Sequence, residues 1–204
     1  MASQIAHIIY AKKFLEGDHP SWINRDEFFL GCVFPDIRRI DKTITRQATH
    51  MHFAKIDLDF SNLTSFEAGW KFHLYCDMRR EELLKKRNFF SIEGAGDFYG
   101  QVAKELEDKL VYDKYNNWEK LVHLFNNVAQ NGNPLNVSHE TLGLWYAIIA
   151  QYIKEKPNEK SIHIFLSKQK SWVDSADGII DCFKELEKNK KAIEILEKVY
   201  KEII

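Results

Sequence analysis

The stretch Phe66-Glu67-Ala68-Gly69-Trp70-Lys71-Phe72-His73-Leu74-Tyr75-Cys76-Asp77-Met78-Arg79-Arg80 constrains this chain more than any other. It reads as a mostly apolar helix that carries His73 and Asp77 four residues apart. On an α-helix that spacing stacks two side chains on one face, one turn apart. A neutral imidazole and a carboxylate converging from one turn can hold a divalent metal. A buried His bonded to an Asp one turn away, an ordinary structural pair, has the same spacing. Ser65 or Thr64 can cap this helix. It is expected to reach Lys86 or Arg87, with a charged and exposed far end from Arg79.

Only 9 Gly and 4 Pro occur among 204 residues, while aromatics make up 13%, a balance that favours an all-α fold over a sandwich or barrel. The length suits a single domain with a sizeable core. A formal net charge of -1 gives bulk electrostatics no reason to select a polyanion, so nucleic acid is unsupported as a partner. Cys32, Cys76 and Cys182 are odd in number, far apart and set in apolar sequence, the pattern of free thiols in a reducing compartment. The N-terminus lacks the basic and apolar regions of a signal peptide, and no apolar run is long enough to span a bilayer. The expectation is a soluble, cytoplasmic protein.

Taken in order, Ser3 can cap a first helix through Glu16, stopped at Gly17. His7 lies in its apolar first turns, as a core histidine or a ligand. After a loop at Gly17-Asp18-His19-Pro20-Ser21, a short apolar helix from Asp26 to Val33 runs into Phe34-Pro35-Asp36. Pro35 is expected to push Phe34 out of the helical region. Asp36, held at that step, is either a turn residue or a ligand aimed at the core. Arg38, Arg39 and Arg46 follow, guanidinium groups suited to a phosphate or to a solvated loop. Ala48-Thr49-His50-Met51-His52-Phe53 places two histidines in polar sequence. Further helices are expected at Phe98–Lys109, Trp118–Ala129, Glu140–Ile153, Ser161–Gln169 and Ala176–Ile204, with a break at Asn131-Gly132-Asn133-Pro134. Residues 1–87 carry the metal-site helices of a single 1–204 domain, and residues 88–204 read as core and covering helices without identifiable chemistry.

The order of these elements resembles the zinc-dependent phospholipase C family, whose fold is shared with the P1-type nucleases. The likeness covers Ala2 to Asp77: an early helical His, Phe-Leu-Gly-Cys-Val-Phe-Pro-Asp, Thr-His, then Gly-Trp-Lys-Phe-His-Leu-Tyr-Cys-Asp. The resemblance implies a multi-helix bundle with metal at one end. It implies that Asp36, His50, His73 and Asp77 surround one zinc, and that Asp77 bridges to a second zinc that His7 also binds. An N-terminal amine, at Ala2 if Met1 is removed, would complete that second site. Family members add a further His and a later His-x-x-x-Glu for a third metal. Here Met78-Arg79-Arg80-Glu81-Glu82 follows Asp77, and none of His123, His139 and His163 has Glu at the fourth position beyond it. A third zinc is not supported, and one or two divalent ions are expected.

Such a site implies a metal-dependent phosphoester hydrolase, most simply of a phosphodiester, that works through activated water. Asp36 is the candidate base, Arg38, Arg39 or Arg79 would hold phosphoryl oxygens, and His52 is an alternate ligand or a neighbour of His50. A small-molecule phosphoester or a lipid headgroup fits as substrate. The competing reading is a degenerate family member that keeps the scaffold and binds a partner. An HD-type phosphohydrolase is weakened because no adjacent His-Asp doublet occurs.

Overall fold

Scarce glycine and proline leave long stretches free to form helix. The computed structural model, which describes residues 3–17, 19–128 and 135–204, contains no strand among them. In chain order the helices are α1 (Gln4–Glu16), α2 (Arg25–Val33), α3 (Arg46–His50), α4 (Ser65–Lys86), α5 (Asp97–Val111), α6 (Trp118–Asn126), α7 (His139–Tyr152), α8 (Glu159–Ser167), α9 (Ala176–Leu186) and α10 (Lys190–Glu202). One cluster of buried apolar residues extends from Ile5 to Ile203. Among the described residues no helix is long and apolar enough to cross a membrane.

The central helix α4 begins at a reciprocal cap. The Thr64 hydroxyl accepts from the Glu67 N–H at 3.2 Å, and the Glu67 carboxylate accepts from the Thr64 N–H at 2.8 Å. Two donors that a helix start leaves open are thereby satisfied. The far end of α4 is charged but not wholly exposed, since Arg80, Leu83 and Leu84 are buried. Its neighbour α2 lies backbone against backbone. A Cβ added to Gly31 would stand 1.9 Å from the Phe66 carbonyl oxygen, and one added to Gly69 would stand 2.1 Å from that of Phe28. Only a pair of glycines allows this approach.

The last carbonyls of α2, which a helix end leaves without partners, are taken by side chains from elsewhere. Tyr146 Oη and Trp145 Nε1 of α7 donate to the carbonyls of Leu30 (3.1 Å) and Val33 (3.0 Å). The Cys32 carbonyl lies 2.7 Å from His73 Nδ1 of α4. The α2 terminus is therefore pinned between α4 and α7.

Several local expectations are corrected. Phe34 keeps helical angles (φ -62°, ψ -44°), because α2 tightens directly into a 3-10 turn over Phe34–Arg39. Near the start of such a turn the missing N–H of Pro35 costs nothing. Ser3 holds the N-cap position of α1 without a side-chain capping bond. Asp108 of α5 acts there instead, accepting from the N–H groups of Ala6 at 2.7 Å and Ile5 at 3.4 Å. The helix expected over Ala176–Ile204 is two helices, since Asn189 accepts from the Ala192 N–H and starts α10. Asp18 and the break at residues 131–134 lie outside the described residues, as does Ala129, the expected end of α6.

The helix α5 departs furthest from expectation. Phe98, Tyr99 and Gly100 have left-handed angles (φ 49°, 56° and 73°), so its regular turns begin at Gln101. It then buries Gln101, Lys104, Glu105, Glu107 and Asp108. Glu107 takes Arg80 Nε and the Tyr10 hydroxyl, and Glu105 takes the Tyr152 hydroxyl at 2.8 Å. Residues 88–204 are thus more than a cover: they supply an interior polar network beside α4.

Candidate metal centre

The close α2–α4 contact sets the position of His73. One turn beyond Gly69, its Nδ1 meets the carbonyl of Cys32, the residue after Gly31. A carbonyl only accepts, so Nδ1 carries the proton and Nε2 presents a lone pair. His50, at the end of α3, is fixed by parallel logic. Thr49 Oγ1 donates its proton to the Thr45 carbonyl at 3.3 Å and lies 2.8 Å from His50 Nδ1. The tautomer in which Nδ1–H donates to that hydroxyl has its lone pair on Nε2, the nitrogen turned toward Asp77. The His7 ring, from α1, stacks on the ring of His73 with centroids 3.7 Å apart.

All three Nε2 atoms converge on Asp77: His7 at 3.2 Å from Oδ1, and His73 and His50 at 3.6 and 3.9 Å from Oδ2. None of the three has a hydrogen-bond partner, and all are shielded from solvent. Burial, reinforced by the neighbouring His73, pushes the His7 pKa down to about 4 and that of His50 to about 3. Both imidazoles are therefore neutral at pH 7. The Nε2 atoms of His50 and His73 lie on the same Asp77 oxygen, Oδ2. Such a cluster of imidazole nitrogens around a carboxylate can hold a divalent cation.

Asp36 lies beside this cluster, in the 3-10 turn. Its Oδ2 accepts from Gln4 Nε2 at 2.8 Å, and its Oδ1 is 3.0 Å from Arg39 Nε and 3.8 Å from Arg38 Nη2. Burial pushes this carboxyl up, but Arg39 and the neighbouring imidazoles outweigh it and hold it well below the usual carboxylate range. One ligand atom each from His7, His73 and Asp77 lie within 4.8 Å of one another, and so do those from Asp36, His50 and His73. The five residues named from the sequence as ligands are brought together. The two groups share His73, whereas the resemblance implied that Asp77 is the shared residue. Met1 and Ala2, whose amine the resemblance offered to a second ion, lie outside the described residues.

The set fits a divalent cation on its chemistry: three imidazoles and two carboxylates, with orphaned nitrogen lone pairs, suit zinc or a similar borderline ion. Cys32 and Cys76 are buried nearby in the same helices, and burial raises both thiols well above their ordinary pKa. They act as packing. His52 stacks on Trp70 with centroids 4.3 Å apart and is exposed.

The arginines proposed for substrate divide by position. Arg39 is buried, and besides Asp36 it reaches Gln101 at 3.3 Å and Gln169 at 3.4 Å, so it braces Asp36. Arg38 is partly buried at the margin of the same carboxylate. Arg79 pairs with Glu82 at 3.1 Å and does not line the adjoining cavity. That cavity, about 440 Å³, has His50 and Asp77 in its wall together with Arg46, Arg80 and Lys104, and Tyr99 from the left-handed turn of α5 at its rim. Arg80 and Lys104 were not named as site residues from the sequence. Polar residues at 101, 104, 105 and 108 share one face of α5, but an apolar set at 102, 103 and 106 reads equally well as the buried side. No family model, no curated protein and no solved structure matches this chain.

Proposed function

We propose that the protein is a metal-dependent phosphoester hydrolase whose ion is held by His7, Asp36, His50, His73 and Asp77. The observation that carries this reading is the convergence of three solvent-shielded imidazole Nε2 atoms on Asp77 next to a solvent-open cavity. His73 has one lone pair to give, because its other nitrogen is committed to Cys32. It therefore binds one ion, and the two ligand groups that share it describe one principal site. A divalent cation held there would polarise a phosphoryl oxygen and lower the pKa of a water, so that hydroxide is available near neutral pH to attack phosphorus.

The chain's own residues supply the rest. The Cys32 carbonyl and the Thr49 hydroxyl orient two imidazoles, a role that outer groups commonly play at metal ligands. Gln4 and Arg39 hold Asp36 with both oxygens engaged. A carboxylate held this far below the ordinary range is a poor base at neutral pH, so Asp36 is read as a ligand and positioning group. The cavity has room for a small phosphoester or a headgroup.

Hydrolysis of bis(p-nitrophenyl) phosphate by the purified chain provides the test. The expected result is turnover that dialysis against a chelator abolishes and that zinc or manganese restores. Absence of turnover with every divalent ion supplied, on this and on monoester and headgroup substrates, would leave the degenerate, partner-binding reading in its place.

A further inference from the structure

Four Lys or Arg side chains are buried among the described residues: Arg39, Lys71, Arg80 and Lys104. Three have carboxylate partners: Arg39 with Asp36 at 3.0 Å, Lys71 with Asp57 at 2.7 Å, and Arg80 with Glu107. Lys104 makes no ion pair among the described residues, although it is only 2% exposed. Its hydrogen-bond acceptor is neutral, the Gln101 side-chain oxygen at 3.2 Å, which also accepts from Arg39. A buried ammonium without a countercharge is costly. Lys104 is also a wall of the cavity that opens beside His50 and Asp77, where Arg46 and Arg80 add positive charge. Glu81, which lines the same cavity, is balanced by Lys85 at 3.2 Å.

We propose that this cavity is an oxyanion subsite in which the Lys104 ammonium, with Arg46 and Arg80 around it, is the countercharge to the phosphoryl group of the substrate. The proposal rests on the hydrolase reading for its substrate, but anion binding itself requires no turnover. Burial, and then Arg39, lower the Lys104 pKa to about 7, against the pull of Asp36 and Asp77. A bound anion works in the opposite direction and favours the charged amine. The subsite thus gathers Lys104, Arg46 and Arg80 on the wall of the cavity beside His50 and Asp77.

Inorganic phosphate is the probe, titrated calorimetrically into the full chain as purified and into Lys104→Met and Lys104→Arg at matched metal content. Wild type and Lys104→Arg are expected to bind phosphate, and Lys104→Met to bind it about tenfold or more weakly, the loss of a charge-assisted bond. Lys104→Met is also expected to keep or raise its Tm in phosphate-free buffer, because it removes an uncompensated buried charge. No binding to wild type, or equal binding to Lys104→Met, overturns the subsite. A Tm that falls sharply in Lys104→Met without phosphate also overturns it, since the amine would then be serving the fold. The two readings separate cleanly. Phosphate binding through Lys104 without hydrolysis defeats the hydrolase and keeps the subsite, whereas hydrolysis with an unchanged KM in Lys104→Met does the reverse.

Discussion

Gly69→Ala, and equally Gly31→Ala, is expected to destabilise the protein by about 3 kcal/mol or more, at the upper end of what overpacking costs. For a chain of this size that is a fall in Tm of roughly 6–12 °C. At each position the new methyl would meet a backbone carbonyl at 1.9 or 2.1 Å, closer than unbonded atoms approach, and a carbonyl in mid-helix cannot swing aside. The helices α2 and α4 must separate instead. The entropic gain of replacing glycine in a helix, about 0.5–1 kcal/mol, is too small to offset this. Gly143→Ala in α7 supplies the control: nothing lies within 4 Å of a Cβ there, so that gain should appear alone. Because the same contact aims the Cys32 carbonyl at His73, the α2–α4 variants should also lose metal affinity. Thermal unfolding and metal titration of the three variants check both effects. An unchanged Tm in Gly69→Ala would mean that the helices are not packed backbone to backbone.

Arg39→Met is expected to cost about 3–5 kcal/mol in the metal-free protein, the penalty for leaving a buried charge without its partner. Asp36 is inside the protein, and Arg39 is the nearest positive charge holding it ionised. Added zinc should return part of the lost stability, because an ion bound by Asp36 replaces the missing positive charge. That dependence separates bracing from substrate binding. Were Arg39 a substrate clamp, the variant would keep its Tm and show only a raised KM. Urea unfolding with and without zinc measures the first outcome, and steady-state kinetics the second.

What was readable in the sequence follows from how local each cause is. The start of α4 is set by Thr64 and Glu67 three residues apart, and that of α7 by Ser138, which accepts from the Thr141 N–H. The ligand residues were readable because a metal site needs particular side-chain types, and His73-x-x-x-Asp77 displays its geometry in its spacing. The role of Arg39 was not, because bracing Asp36 requires Gln101 and Gln169, which lie far along the chain. Nor was the interior face of α5. Lys104, Glu105, Glu107 and Asp108 look like a solvated surface until Tyr152, Arg80 and the start of α1 are packed against them. The join between α9 and α10 was hidden for a related reason. Lys and Glu alternate with Ile and Leu at helical spacing on both sides of Asn189, so periodicity alone runs through the break.

The proposed hydrolase requires that the His/Asp cluster hold an ion. Elemental analysis of untagged protein, comparing wild type with His73→Ala and Asp77→Ala, tests it most directly. About one tightly held zinc or similar ion per chain is expected in wild type, since His73 has a single lone pair to offer, and its loss in both variants. Wild-type protein with no bound metal, and none taken up on addition of zinc or manganese, would contradict the account.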